Sequence, residues 1–296
     1  MEKRSKKIGL VLPGGGVRGY CTALMLEHLQ NVLMQQRLKD QIDIVSGTST
    51  GSIIGAQLVM GKEPINIRKR YQKFANEAFP RQRNILRRLF NTKYSASNLK
   101  RLLKDNLPDK KFKDVDFNFA VFSAELENSY PAVFKTWKEQ SDVSLHDVVL
   151  TSTAAPTYFP QHKGYVDGGV WANMPIMETY TLMEELWPMA DKTIIVVGTG
   201  YKYPSLKRRG DLRYWAKNVV PFKMALQEQS SKWIAEKTGD LQFIELDFEL
   251  SRVYDMDDGS LETLRELRSE TLEFITKNLE RFEDAVEVLE WWKEKS

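Results

Sequence analysis

Residues 8–19 read Ile8-Gly9-Leu10-Val11-Leu12-Pro13-Gly14-Gly15-Gly16-Val17-Arg18-Gly19. The opening run is aliphatic, too short for a helix, and ends at a proline and three glycines, which predicts a buried strand entering a tight turn. From Arg18 to about residue 36 the spacing changes, with Leu24, Leu29, Val32 and Leu33 recurring at helical intervals. The same order then repeats. Residues 43–46 form a second short apolar strand, Gly47-Thr48-Ser49-Thr50-Gly51 a turn, and 52–60 an apolar helix. Strand, turn and helix in that repeating order predict parallel strands covered by helices on both faces. The expected class is α/β, a three-layer α/β/α sandwich with a mainly parallel central sheet.

Further along, 118–124, 132–134 and 193–197 read as strands, and 144–152, 213–237 and 260–290 as helices. No linker of low complexity and no repeat divides the 296 residues, so 1–296 reads as a single domain. It carries a helical insertion at about 61–113 and an acidic helical region at about 250–296. A hydrophobic share of 42% excludes a disordered chain. No apolar run is long enough to span a bilayer, and the run at 8–12 is too short for a secretory leader. One cysteine, Cys21, excludes an internal disulfide framework and a cysteine-built zinc site. A cytoplasmic protein is expected.

The net charge of +3 conceals a strong polarity. Residues 61–113 hold sixteen Lys and Arg against four acids, a balance of +12 that leaves −9 to the rest of the chain, much of it in the last sixty residues. Such a chain presents a basic face.

Three clusters carry chemistry. In the first, Gly14 to Gly19, successive glycines let backbone N–H groups converge on a negative oxygen, and the following helix adds the positive end of its dipole. The anion is a phosphate or a developing oxyanion. Gly14, Gly16 and Gly19 also satisfy the dinucleotide pattern G-x-G-x-x-G, the basis of an alternative reading as a nucleotide-binding dehydrogenase. That reading needs an acid at the end of the second strand, whereas Asp40 and Asp43 precede it. The second cluster places Ser49 on a sharp strand-to-helix turn, with Gly47 and Gly51 leaving room for the bend, as a nucleophile elbow requires. The third, Val166-Asp167-Gly168-Gly169, offers a carboxylate beside two glycines that allow close backbone approach. A serine nucleophile needs a base, and none of His28, His146 and His162 sits in a recognisable catalytic setting. The run Asp255-Met256-Asp257-Asp258-Gly259 does not fit the spacing of a calcium loop and reads as an acidic cap on the helix beginning near Ser260.

Taken together, these motifs resemble the patatin-like phospholipases, whose pattern is G-G-G-x-R-G, then G-x-S-x-G, then D-G-G or D-G-A. The likeness spans about 1–180 and includes 153–160 and 170–175. Met256-Asp257-Asp258-Gly259-Ser260 resembles the bacterial and calcium-independent branch. Pro13 departs from the family, in which many members place aspartate before the glycines. The resemblance implies a Ser49–Asp167 dyad in place of a triad. Gly14, Gly15, Gly16, Arg18 and Gly19 would form the oxyanion loop, Gly168 and Gly169 would support the dyad, and no cofactor or metal would be needed. The expected activity is release of fatty acids from phospholipids at a membrane surface. An activating nucleotide is permitted, because some bacterial relatives are effectors switched on by cyclic nucleotides. A catalytically silent lipid-binding scaffold is the remaining alternative.

Within the basic stretch, Arg81, Arg83, Arg87 and Arg88 alternate with Ile85, Leu86, Leu89 and Phe90. That mixture suits an anionic leaflet, in which each Lys or Arg contributes about 1 kcal/mol and the apolar residues enter the interface. No recognition motif for nucleic acid accompanies it.

Overall fold

The computed structural model describes residues 5–34, 36–79, 92–138, 142–203, 206 and 210–290. A seven-stranded sheet runs in the order β4-β3-β2-β1-β6-β7, built from β1 (Lys6–Leu12), β2 (Ile44–Thr48), β3 (Asn118–Glu125), β4 (Tyr130–Lys135), β5 (Tyr165–Asp167), β6 (Asp191–Val197) and β7 (Leu241–Leu246). The pairs β1–β2, β1–β6, β2–β3 and β6–β7 are parallel. β4 and β5 both pair antiparallel with β3.

Alternation along the strands sorts side chains into two layers. Ile8, Leu10 and Leu12 of β1, Val45 of β2, Phe119 and Val121 of β3, and Ile195 and Val197 of β6 face one core. Helices α1 (Gly19–Val32), α2 (Thr50–Val59), α3 (Pro64–Ala78), α4 (Ala96–Asn106), α5 (Leu145–Thr153), α8 (Leu261–Lys277) and α9 (Leu279–Glu290) contribute to it. Val11, Ile44, Ala120, Phe122, Ile194 and Val196 face the other core, beneath α6 (Ile176–Leu186) and α7 (Leu212–Lys237). The three-layer α/β/α sandwich is therefore present, with its layers unequal.

Two helical expectations need correction. The first helix stops at Val32, after which Met34 takes a positive φ of 51°, so the pattern toward residue 36 does not continue it. The helical period at 260–290 is two helices, because Asn278 leaves helical geometry (φ −131°) and its side chain donates to the Phe274 carbonyl. α6, β5 and β7 have no counterpart in the expectations.

The described part of the basic stretch is helical, as expected, but it is no mere surface appendage. Ile67, Tyr71 and Phe74 of α3 and Leu99, Leu102 and Leu103 of α4 are buried in the main core. Lys69, Arg70, Lys73, Lys100, Arg101 and Lys104 point outward. Both helices thus follow the amphipathic pattern. Arg81, Arg83, Ile85, Leu86, Arg87, Arg88, Leu89 and Phe90 lie outside the described residues.

Candidate active site

β2 ends at Thr48, opposite Phe122 of β3, and the chain turns into α2 through Ser49 at φ 52°, ψ −122°. That left-handed backbone is strained for a residue with a side chain, and it persists only where its surroundings hold it. Here the Ser49 N–H donates to Ser152 Oγ (2.9 Å), whose own hydroxyl donates to the Phe122 carbonyl (2.6 Å). Thr48 Oγ1 donates to the Ala172 carbonyl at 2.7 Å. Gly51 is required by close approach, because a Cβ there would lie 1.9 Å from the Leu12 carbonyl oxygen.

On the same side of β3, one residue beyond the end of β2, Asp167 of β5 stands opposite Ser123. Ser49 lines the same pocket, and its side chain favours the ionised form of this carboxylate. Gly169 N–H donates to Asp167 Oδ1 at 2.7 Å. At 4% exposed, Asp167 is nearly withdrawn from water. Burial raises its pKa to about 6, against the opposing influence of the Ser49 side chain and the Gly169 N–H. A carboxylate in that range is a far better proton acceptor near neutrality than a free aspartate.

The glycine loop lies alongside. The Gly14 N–H donates to the Asn173 carbonyl (3.1 Å) and the Val17 N–H to the Met256 carbonyl (2.8 Å). Between them, Gly15 and Gly16 line the pocket, and among the described residues their N–H groups donate to no protein acceptor. Arg18 is placed differently. Its guanidinium donates to the carbonyls of Gly15 (3.4 Å) and Gly200 (2.7 Å), and it does not line the pocket. It braces the loop and is not positioned to meet a phosphate headgroup there. Gly19 packs against Thr50 and Tyr71 behind the loop.

Ser49 and Asp167 line a pocket that opens to solvent. Ile53, Phe74, Phe79, Leu99, Phe159 and Met224 give it apolar walls suited to an acyl chain. The three histidines are elsewhere. His28 packs edge-on against Phe282, His146 Nε2 bonds the Leu107 carbonyl, and His162 Nε2 meets Asp147 at 2.7 Å. Asp43, the nearer acid for a dinucleotide ribose, is engaged by Lys7 Nζ (2.7 Å) and the Ile8 N–H (2.8 Å) on the strands themselves.

Several residues outside the three glycine-bearing motifs also act at this site. Tyr71 donates to the Gly16 carbonyl at 2.5 Å and also bonds Thr50, so α3 of the insertion grips the glycine loop. Met256 lines the pocket as well as accepting from Val17. Asp257 accepts from Tyr94 Oη (2.5 Å) and pairs with Lys93, tying that loop to the insertion. Asn173 Nδ2 donates to the Gly14 carbonyl (3.3 Å) and to Glu228 Oε1 of α7 (2.5 Å). As expected, the acidic loop caps its helix: Ser260 Oγ accepts from the Thr263 N–H, and Asp258 accepts from the Ser260 N–H.

A family model described as patatin-like phospholipase matches residues 10–180. Patatin-like protein 2 of Oryza sativa is 28% identical over 227 residues, covering 64% of this chain and 56% of that protein. A cGAMP-activated phospholipase of Escherichia coli is 26% identical over 216 residues, covering 64% of this chain and 61% of its own. Among solved structures, human GIVD cytosolic phospholipase A2 aligns with a TM-score of 0.46 at 10% identity, over 96% of this chain and 59% of that one. The chain belongs to the patatin-like phospholipase family. It spans little more than half the length of the rice relative.

Proposed function

We propose that this chain is a serine acyl hydrolase that releases fatty acids from phospholipids through a Ser49–Asp167 dyad. The observation that carries the reading is the pairing of Ser49, on its strained turn, with a buried carboxylate whose pKa burial raises to about 6, both lining one apolar pocket. Ser49 Oγ attacks the ester carbonyl carbon as Asp167 accepts the hydroxyl proton. The negative oxygen that forms is met by the N–H groups of Gly15 and Gly16, and by that of Thr50 at the start of α2, each such donor contributing about 3 kcal/mol in comparable sites. As the tetrahedral centre collapses, the proton passes from Asp167 to the departing alkoxide, leaving an acyl-serine. Water then attacks this ester, Asp167 takes the water's proton, and collapse returns it to Ser49 with release of the fatty acid.

The dehydrogenase reading finds no support in the engaged Asp43. Peripheral association with an anionic leaflet, through the basic segment that includes Arg81 to Phe90, belongs to the same proposal. Phe79, which lines the pocket, and Tyr94 flank that segment in sequence and meet edge to face, ring centroids 5.4 Å apart. The cGAMP-activated relative supports a nucleotide as activator.

Reaction with a fluorophosphonate, followed by fatty-acid analysis on phospholipid vesicles, tests the mechanism. The intact chain should label and release fatty acid, and Ser49→Ala should do neither. Full hydrolysis by Ser49→Ala would overturn the mechanism. A chain that binds vesicles but neither labels nor hydrolyses would be the silent scaffold.

A further inference from the structure

The 26-residue helix α7 has two faces with different occupants. Inward, Val220 and Met224 line the cavity, Lys223 Nζ donates to the Val170 carbonyl, and Gln227 exchanges hydrogen bonds with both the N–H and the carbonyl of Met174. Together with Glu228 on Asn173, this clamps the turn that follows Asp167. Among the described residues, the apolar side chains of the outward face have no such hydrogen-bonded partners. At 100° per residue, Trp215, Val219, Phe222, Leu226 and Trp233 fall within about 60° of one another. Trp233 is 63% exposed, Leu226 50%, Val219 49% and Trp215 40%. Polar residues normally occupy the solvent side of a helix, and an apolar stripe there marks an interaction surface.

We propose that this outer face of α7 is a docking surface for an anionic bilayer. The inference rests on the acyl-hydrolase reading and adds where that site meets its substrate. Three observations select a membrane over a protein partner. The stripe adjoins the mouth of the cavity, since Val219 of the stripe is followed directly by Val220, 43% exposed, which lines the cavity. Two of its members are tryptophans, whose amphipathic rings favour the headgroup level. The helix carries five Lys and Arg against two Glu, and Lys237 is exposed beside the stripe, which complements anionic lipid. A helix lying in the interface on this face would bring the rim of the pocket to the depth of the ester bonds. These residues are separate in sequence from the basic segment at 81–90.

The test uses the Ser49→Ala protein, so that vesicles stay intact. Cosedimentation is measured with phosphatidylcholine vesicles and with vesicles containing phosphatidylglycerol. The Ser49→Ala protein should bind the anionic vesicles, and adding Trp215→Ser, Leu226→Ser and Trp233→Ser together should weaken binding about tenfold or more. A milder pair, Trp215→Phe with Trp233→Phe, keeps the apolar face and the fold; with lipids brominated on the acyl chain it should lose most of the fluorescence quenching that the parent shows. Undiminished binding by the serine variant, or undiminished quenching in the phenylalanine variant, overturns the proposal. So does a parent that binds neither vesicle, or one that self-associates and becomes monomeric only in the serine variant. Binding that behaves as expected beside an intact chain that hydrolyses no ester would sink the hydrolase reading alone.

Discussion

Thr48 and Asp167 stand opposite consecutive residues of a single strand, Phe122 and Ser123. β2 runs parallel to β3 and β5 antiparallel to it, on the same side, so the two chains meet end to end. Ser49, the proposed nucleophile, follows the last residue of one, and Asp167, the proposed base, is the last residue of the other. Their separation is consequently held by the hydrogen-bond ladder of the sheet, as a pre-organised site requires.

Asp167 must be ionised to accept the serine proton, and burial holds its pKa at about 6. Because the folded value lies above the ordinary one, acid inactivates at a higher pH than it would for a free aspartate. The rate of hydrolysis of a soluble ester should rise with pH, falling about tenfold per unit well below pH 6 and levelling off above it. Asp167→Asn should lower the rate by about a hundred- to ten-thousandfold and abolish that acid limb. A limb retained in Asp167→Asn would assign the titration to another group.

Gly168→Ala should damage the fold as well as the site. A Cβ there would lie 2.3 Å from the Phe122 carbonyl oxygen, forcing β5 away from β3. The expected loss is roughly 1–3 kcal/mol in denaturant unfolding. Gly239→Ala, where nothing lies within 4 Å, is the control and should stay within about 0.5 kcal/mol of the parent.

Asn173→Ala should reduce turnover about tenfold or more while leaving Ser49 open to fluorophosphonate. The side chain ties the Gly14 carbonyl to Glu228, and its loss loosens the oxyanion loop and strips a buried acid of its partner, at a cost of about 1–3 kcal/mol. Unchanged turnover in Asn173→Ala would show that the backbone bond from Gly14 holds the loop alone.

Replacing Arg81, Arg83, Arg87 and Arg88 with glutamine should weaken binding to anionic vesicles and flatten its dependence on salt. Vesicle binding measured across a salt series checks this, and a salt response equal to the parent's would remove the segment from the docking surface.

Ser49 and Asp167 were legible because each sits in a short motif whose local geometry and chemistry coincide. The central strands were legible too, since burial on both faces leaves nearly uninterrupted aliphatic runs such as residues 193–197. β7 was not. It is an edge strand, and Gln242 and Glu245 break up its apolar pattern. The break at Asn278 was hidden because the apolar spacing continues through it. Tyr71, Ser152 and Glu228 act on the site through hydrogen bonds from distant segments. Nothing in their neighbours along the chain announces that. Asn173 lay inside a stretch resembling the family, yet its tie to Glu228 appears only when α7 is folded across it.

The bond from the Val17 N–H to the Met256 carbonyl also bears on where a minimal catalytic fragment can end. The matched family region closes at residue 180, but the glycine loop is gripped from Met256 and, through Asn173, from Glu228. A fragment cut at 180 would keep every motif and lose the groups that hold them in register. On the proposed mechanism, activity should therefore vanish in steps as the chain is shortened, first when the loop around Met256 is removed and again when α7 is.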